Sequence, residues 1–422
     1  MSTSAESSAR LRPAVQTDSY PLVAFAFLVL LCLSYSTNAA DRQLFPTLLP
    51  SIRAQFGWDL KESGLLSTFF TLGLAVVGIP AGYLVDRVSR KVVIISGMLV
   101  YSAFTAATIY AQGFWDMLAY RVITGLGEGI QMAALFAVIG SFFHAKRSLF
   151  MGWMIVAYGL GAFLGPRAGV WLQVSSGGSW KVPFVWFTVI GLVLAAIIWI
   201  AVPKSFSESK GPQAKSAVDE AAIAHMPTNL WNRNVILAFV GSIICGFSLF
   251  GFLSLWSVYA RDVLHFSGGD IGAAFSWFGI GGLFSFVAGW SADKFRHNIV
   301  IAVAFAVLAV IGYSMYNVAT TPMGQSLLTF LTGVFGSGFG YTNLLTLLQR
   351  SVRPEMVGRS SGLFLTSLFG AASVAGYLMG ALTGSFGWGG AAFIELSLFP
   401  IIGIVAMLMI DTSKLIALGK KA

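Results

Sequence analysis

From its N-terminus the chain alternates long apolar stretches with short clusters of charged, Pro, Gly and Asn residues. An apolar run of about 20 residues, coiled as α-helix, matches the roughly 30 Å hydrocarbon core of a bilayer. Twelve such runs are predicted, at 21–44, 63–84, 92–112, 116–143, 149–172, 182–203, 235–259, 270–291, 299–318, 325–349, 358–383 and 390–411. The first should end near Pro46, which breaks the helical pattern. One long polar stretch, 204–234, carries Lys204, Glu208, Lys210, Lys215, Asp219, Glu220 and Arg233, and it divides the runs six and six. The expected organisation is a cytoplasmic tail (1–20), a six-helix bundle (21–203), a cytoplasmic linker (204–234), a second six-helix bundle (235–411) and a second tail (412–422).

Composition agrees with that pattern. Hydrophobic residues make up 56% of the chain and charged residues 10%, with 47 glycines, 35 phenylalanines and a mean hydropathy of +0.79. So few charges cannot solvate the surface of a soluble protein of this length, and glycine is tolerated where membrane helices pack closely. The expected fold class is all-α, a polytopic membrane protein with 12 transmembrane helices in two pseudo-repeated six-helix bundles. This excludes a secreted disulfide domain, a nucleic-acid binder and an ordinary cytosolic enzyme. Cys32 and Cys245 lie inside apolar runs and read as small hydrophobes, and the first run reads as a retained span with no cleavage site.

The net charge of +9 takes its meaning from where the basic residues fall. With the N-terminus inside, inner segments hold 19 of the 26. Outer segments hold Arg53, Lys61, Lys181 and Arg261, while Arg42, Arg121 and Arg167 lie within runs. The positive-inside rule then predicts both termini cytoplasmic, and the expected location is a bacterial-type inner (plasma) membrane.

The halves echo each other. Gly82-Tyr83-Leu84-Val85-Asp86-Arg87-Val88-Ser89-Arg90-Lys91 follows the second run, and Gly289-Trp290-Ser291-Ala292-Asp293-Lys294-Phe295-Arg296 follows the eighth. Parallel six-span repeats are a transporter architecture, with binding expected at their interface near mid-membrane. An ATP-driven motor would need a phosphate-binding Gly-x4-Gly-Lys-Ser/Thr loop, which the sequence lacks, as it lacks His-Glu-x-x-His. No cofactor is expected, and the driving force should be an ion or substrate gradient.

Ionisable groups inside a bilayer are costly and point to function. The first half holds Asp41, Arg42, Arg121, Glu128 and Arg167 within its runs, and the second half only Glu395. Seven residues separate Arg121 from Glu128, which puts both on one helix face about 10 Å apart along the axis. Burial favours a neutral carboxyl and a neighbouring arginine favours an ionised one, so Asp41 or Glu128 can exchange a proton as an anion comes and goes at Arg42 or Arg121. Structural alternatives stand beside these roles: a plain salt bridge at Asp41 and Arg42, backbone bonding by Arg121, snorkelling by Arg167 and a local hydrogen bond at Glu395.

Gly82 to Lys91 resembles the signature loop of the major facilitator superfamily, and Arg121-x3-Gly125-x-Gly127 is similar to its fourth-helix motif. Gly152-x8-Gly161-x3-Gly165-Pro166-x2-Gly169 resembles the fifth-helix motif of its antiporter branches, with Val170 where a glycine is expected. The segments Tyr35–Arg42 and Tyr120–Glu128 look like the first and fourth helices of its anion:cation symporters, and spinster-type lysolipid transporters share much of this pattern. The resemblance implies proton-coupling carboxylates at Asp41 and Glu128, with protons as the coupling ion, and substrate-anion arginines at Arg42 and Arg121. Asn38 and Tyr35 belong to the same segment and are candidates for substrate contact.

It also implies that Asp86, with Arg87 and Arg90, locks the halves at the N-terminal end of the eleventh span near Gly358 when the site faces outward, with Asp293 as a weaker counterpart. Gly78 and Gly82 are expected to serve close helix packing. In the second half Tyr341, Asn343 and Tyr377, among glycine-rich neighbours, are expected to orient the substrate's carbon skeleton. The function so read is proton-coupled symport of a small organic anion by a monomer in a lipid bilayer. The alternative is a proton-driven exporter of drugs or amphiphiles, including lysolipids.

Overall fold

The computed structural model describes residues 22–143, 147–208, 227–353 and 356–415. The expected N-terminal tail, most of the linker and most of the C-terminal tail lie outside them. Among the described residues the secondary structure is helical, with no strand. Helices satisfy their own backbone polar groups, which lipid requires. Ten helical stretches among the described residues are long and apolar enough to cross a membrane.

The first half comprises α1 (Leu22–Phe56), α2 (Leu60–Thr68), α3 (Phe70–Arg87), α4 (Arg90–Thr108), α5 (Phe114–Phe142), α6 (Arg147–Ser175), α7 (Lys181–Ala201) and the short α8 (Lys204–Ser207). The second comprises α9 (Arg233–Asp262), α10 (Gly268–Gly282), α11 (Ser285–Lys294), α12 (His297–Asn317), α13 (Pro322–Thr332), α14 (Thr342–Arg350), α15 (Val357–Ala392) and α16 (Phe399–Leu408). A π-helical segment, Gly333–Tyr341, joins α13 to α14, and another, Phe393–Leu398, joins α15 to α16. The chain turns within α15 at Gly387, where φ is 69° and ψ 174°, a conformation open to glycine.

The first helix does not stop at Pro46. It runs to Phe56 through both Pro46 and Pro50. Pro50 has no N–H to give the carbonyl of Pro46, and Ser257 Oγ of α9 donates to that oxygen instead. The unpaired carbonyl is thereby satisfied from the other half of the chain, and Asp41 and Arg42 lie deep within a continuous helix rather than near its end. The next helix opens on a capping box: Asp59 Oδ1 accepts from Glu62 N at 2.8 Å, and Glu62 Oε2 accepts from Asp59 N at 3.0 Å.

Glycines set the closest helix approaches. A Cβ on Gly161 would fall 2.0 Å from Ser36 O, and one on Gly165 would fall 2.7 Å from Ala40 O, so the fifth-helix motif presses α6 against the segment of α1 bearing Asp41 and Arg42. Between halves, α2 meets α15 where a Cβ on Gly376 would fall 2.0 Å from Gly64 O, and α6 meets α10 at Gly159 and Gly279. Thr68 and Thr71 donate to Ser373 O and Phe369 O at 3.1 and 3.2 Å, and Arg53 Nη1 pairs with Asp262 Oδ2 at 2.8 Å.

These bonds gather toward the end bearing the α1–α2 and α9–α10 connections. Toward the other end two glycines of the first half have few neighbours. A Cβ on Gly78 would meet only Leu365 Cδ1, at 3.9 Å, and one on Gly82 would meet nothing within 4 Å. The close packing expected of Gly78 and Gly82 is therefore absent in this conformation, because no other helix comes to backbone contact with them.

Ser89, the N-cap of α4, makes no side-chain capping bond of its own. The cap comes from Glu208, just past α8. Its carboxylate accepts from Ser89 Oγ at 2.8 Å, Arg90 N at 3.1 Å, Lys91 N at 3.2 Å and Ser207 Oγ at 3.1 Å. Burial works against its charge, yet these bonds hold the carboxyl below the ordinary glutamate value of 4.5. The residue read as linker thus fastens the start of the linker to the signature loop.

Glu208→Ala should lower stability by on the order of 1 kcal/mol, as loss of a helix cap does. The advantage of the parent is complete above the ordinary glutamate value and disappears as the pH falls below it through the folded value. Thermal unfolding in detergent across that range checks both. Gly376→Val should force α2 and α15 apart, and cross-linking between cysteines placed at Arg53 and Asp262 should fall with it.

Candidate functional site

Asn38 and Arg42 lie one turn apart on α1 and face α5, where Glu128 and Gln131 are likewise one turn apart. Arg42 Nε donates to Glu128 Oε2 at 2.9 Å, with side-chain exposures of 7% and 0%. Arg42 Nη2 donates to Asn38 Oδ1 at 3.2 Å, Asn38 Nδ2 to Gln131 Oε1 at 2.8 Å, and Gln131 Nε2 to Ser34 O at 3.4 Å. A charge pair so far from water is held by geometry, since each partner's desolvation must be offset by the other.

Asp41 points elsewhere. It is buried and accepts a hydrogen bond from Thr105 Oγ1 of α4 at 2.8 Å, so it does not form a salt bridge with the adjacent Arg42. It remains within electrostatic reach of Glu128, Arg121 and Arg42. Two carboxyls and two guanidiniums therefore share one water-poor region of the first half. With both acids ionised their formal charges cancel. One added proton leaves a single positive charge.

Arg121 is also buried, with Nε donating to Leu66 O at 3.4 Å and its guanidinium over Phe45 at 4.5 Å and Phe70 at 4.9 Å. That carbonyl bond matches the structural alternative for this arginine. Its Nη2, however, has no hydrogen-bond partner among the described residues, and neither does Glu128 Oε1. Arg42 stands over the same Phe70 ring and over Tyr158, each at 5.8 Å. The two arginines thus flank one aromatic ring, and each half of this charge cluster has an unused polar atom.

Tyr35 is buried against Tyr158 and Phe136, with ring centroids 5.9 and 5.7 Å away. From the second half Tyr341 comes within electrostatic reach of Arg42 and Tyr158 and packs edge-on against Phe364 at 4.8 Å. The structure does not bring the other two second-half candidates to this place. Asn343 is buried where α14 meets α11, with Nδ2 donating to Phe339 O at 2.9 Å and Ala288 O at 3.4 Å. Tyr377 is 47% exposed on α15.

Of the expected lock, Arg87 lies over its own Tyr83 at 4.0 Å and Arg90 Nη1 donates to Ala137 O at 3.4 Å. Of Asp86, Asp293 and Gly358 only the helical backbone is described. Arg167 stacks over Phe163 at 4.1 Å and approaches Trp277 of α10 at 6.0 Å. The hydrogen bond expected of Glu395 is absent, since neither of its carboxyl oxygens has a partner among the described residues.

Three members of the cluster escaped the sequence reading. Gln131 carried a signal, being three residues beyond Glu128 on the same helix face. Tyr158 also carried a signal, as a phenol flanked by Ala157 and Gly159 inside the glycine-rich fifth-helix motif. Thr105 carried none, because its role depends on which helix lies against Asp41.

Helices long enough to cross a bilayer, packed around a buried charge cluster and joined across the two halves by a few polar contacts, define a membrane transport fold. The family model of the Major Facilitator Superfamily matches residues 31–377, and the chain belongs to that family of membrane transporters, which are not enzymes. Among curated relatives, the hexuronate transporter of Bacillus subtilis (strain 168) is 26% identical over 58% of this chain, and the match spans 57% of that transporter. The gallate transporter of Pseudomonas putida is 24% identical, with 79% of each chain covered. In fold, a bacterial homologue of the human lysosomal transporter Spinster, crystallised inward-facing and unoccupied, matches with a TM-score of 0.71 at 15% identity, covering 93% of this chain and 96% of that one.

Removing one partner of a buried ion pair leaves the other charge uncompensated, so Glu128→Ala should destabilise the protein by about 3–5 kcal/mol. The double replacement Arg42→Met with Glu128→Leu should recover most of that loss. A double-mutant cycle on thermal unfolding in detergent measures the coupling.

Proposed function

We propose that this protein is a proton-coupled symporter of a small organic carboxylate, working by alternating access across a bacterial-type plasma membrane. The observation that carries the reading is the buried pair between Arg42 Nε and Glu128 Oε2 at 2.9 Å, beside Arg121 with an unused guanidinium nitrogen. A substrate carboxylate and the Glu128 carboxylate compete for the same guanidinium. Protonation of Glu128, or of Asp41 beside it, releases positive charge for the anion, and departure of the anion returns the arginine to Glu128 and lets the proton go. One proton then accompanies one negative charge, and the cluster is never left far from neutrality.

Hexuronate and gallate, the cargoes named for the two relatives, are both carboxylates. The rings of Phe45, Phe70 and Tyr158 around the guanidiniums favour a carboxyl on a flat, largely apolar skeleton. Asn38 and Gln131 already bond each other, which leaves fewer polar groups for a polyhydroxylated one. The same aromatic surroundings support a second reading, transport of an amphiphile, in which the charged head meets the arginines.

The twelve-span, two-bundle arrangement follows if the helix pair turning at Gly387 counts as two passes and Pro322–Arg350 as one. With basic residues inside, the end where the bonds between halves gather is outer and this conformation opens to the cytoplasm. The signature loop with Asp86, Arg87 and Arg90, and Asp293 opposite, is assigned the lock of the outward-facing state. One chain supplies both halves, so the working unit is a monomer.

Liposomes holding the purified protein and a pH dye provide the test, with a panel of aromatic and sugar acids outside. Acid-dependent proton entry is expected from the parent and none from Glu128→Gln. Arg121→Ala should weaken apparent affinity about tenfold or more, as loss of a charge-assisted hydrogen bond of roughly 1.5–3 kcal/mol requires. Proton movement driven by a lysolipid or a hydrophobic cation, with no response to any acid, would replace this reading with the amphiphile one.

A further inference from the structure

Among the described residues, Glu395 is the carboxylate that lies away from helix ends in the second half, and the site above makes no use of it. It stands in the π-helical segment Phe393–Leu398 and is 0% exposed. Its carboxyl rests against the bare backbone of Gly251 on α9, where a Cβ would come 2.5 Å from Oε1. On α12, Gly312 makes room in the same way for Leu396, whose Cβ would lie 2.5 Å from a Cβ added there. The wider π turn therefore sets two consecutive side chains into a seam cleared by two glycines.

The seam is polar in one further place. Tyr316, one turn beyond Gly312, has a buried hydroxyl with no hydrogen-bond partner among the described residues and lies within electrostatic reach of Glu395. Behind it Tyr259 of α9 packs against the Tyr316 ring at 4.6 Å. These two phenols are the titratable groups facing this end of the seam among the described residues. A cavity of about 10 Å³, room for roughly one water, is bordered by Ser248, Phe252, Gly312, Thr332 and Leu396.

Among the described residues an ionised carboxyl in this place has neither a counter-ion nor a hydrogen-bonded donor, and the protein would bear its full desolvation cost. Binding a proton removes that cost. We infer that Glu395 is a proton-binding site of the second half, separate from the Arg42–Glu128 cluster, and that the proton it holds keeps α9, α12 and the π-helical segment packed together. Loss of the proton leaves a charge that must be hydrated, and the adjoining cavity is where water enters the seam. The inference does not depend on what the first half transports.

Infrared spectroscopy of the purified parent and of Glu395→Gln, at neutral pH and in the absence of any substrate, tests it. The parent should show the carbonyl band of a protonated carboxylic acid that Glu395→Gln lacks, and a Glu128→Gln control should leave that band in place. Removing the proton leaves an uncompensated charge in the packed seam, so a rise in pH that removes it costs stability. The melting temperature of the parent should therefore drop relative to that of Glu395→Gln as the pH is raised. A difference spectrum carrying carboxylate bands at neutral pH, or melting temperatures that run parallel with pH, overturns the inference. Should Glu395→Gln fail to fold, Glu395→Asp supplies the comparison: the acid band must shift, and an unmoved band counts against the site.

Discussion

A charge held away from water must find a partner or give up its ionisation, and the first half of this protein is arranged around that constraint. Arg42 meets Glu128 in a pair almost closed to solvent, and Asn38 and Gln131 complete the hydrogen bonding on either side. The pair needs α1 and α5 at a fixed separation. Their neighbours supply it: α6 presses Gly161 and Gly165 onto α1, while α4 and α3 close on α5 through Gly97, Gly127 and Gly125. Glycine is needed at these places because the helices approach to backbone contact.

The same constraint explains how the halves meet. Two prolines would leave α1 with unpaired carbonyls near the charge cluster, and Ser257 from the opposite half takes the one at Pro46. Nearby, threonines of α2 and α3 donate to carbonyls of α15, and Arg53 pairs with Asp262. Among the described residues these are the polar groups that hold the halves together. A transporter needs such contacts to be made and broken in alternation, and a few hydrogen bonds over glycine-lined seams are weak enough for that.

Much of this was legible in the chain itself. The spacing of apolar runs predicted where helices lie, to within a few residues for most of them. Positions as sparse as Asp41, Arg42, Arg121 and Glu128 were conspicuous because ionisable residues inside apolar runs are costly. The signature loop and glycine motifs pointed to the family that the comparison then established. Pro46 was misread because a local rule, that proline ends a helix, was overridden by a hydroxyl some 200 residues away in sequence. Glu208 was read as linker for a similar reason, since a carboxylate becomes a cap only when folding brings an uncapped helix to it.

What the sequence determined by itself is the set of helices, their glycine motifs and the identity of the costly charges, because these follow from the length of the apolar runs and from the solvent a helix must enter. What only the tertiary structure decided is which charges are paired. Asp41 and Arg42 are neighbours in the chain, yet one answers to Thr105 on α4 and the other to Glu128 on α5. Asn343 looked like a cavity residue and instead joins α14 to α11, while Glu395 looked locally bonded and has no such bond among the described residues. Hydrogen bonds and ion pairs act over about 3 Å. Positions along the chain do not determine distances on that scale until helices from distant parts of the sequence are packed together.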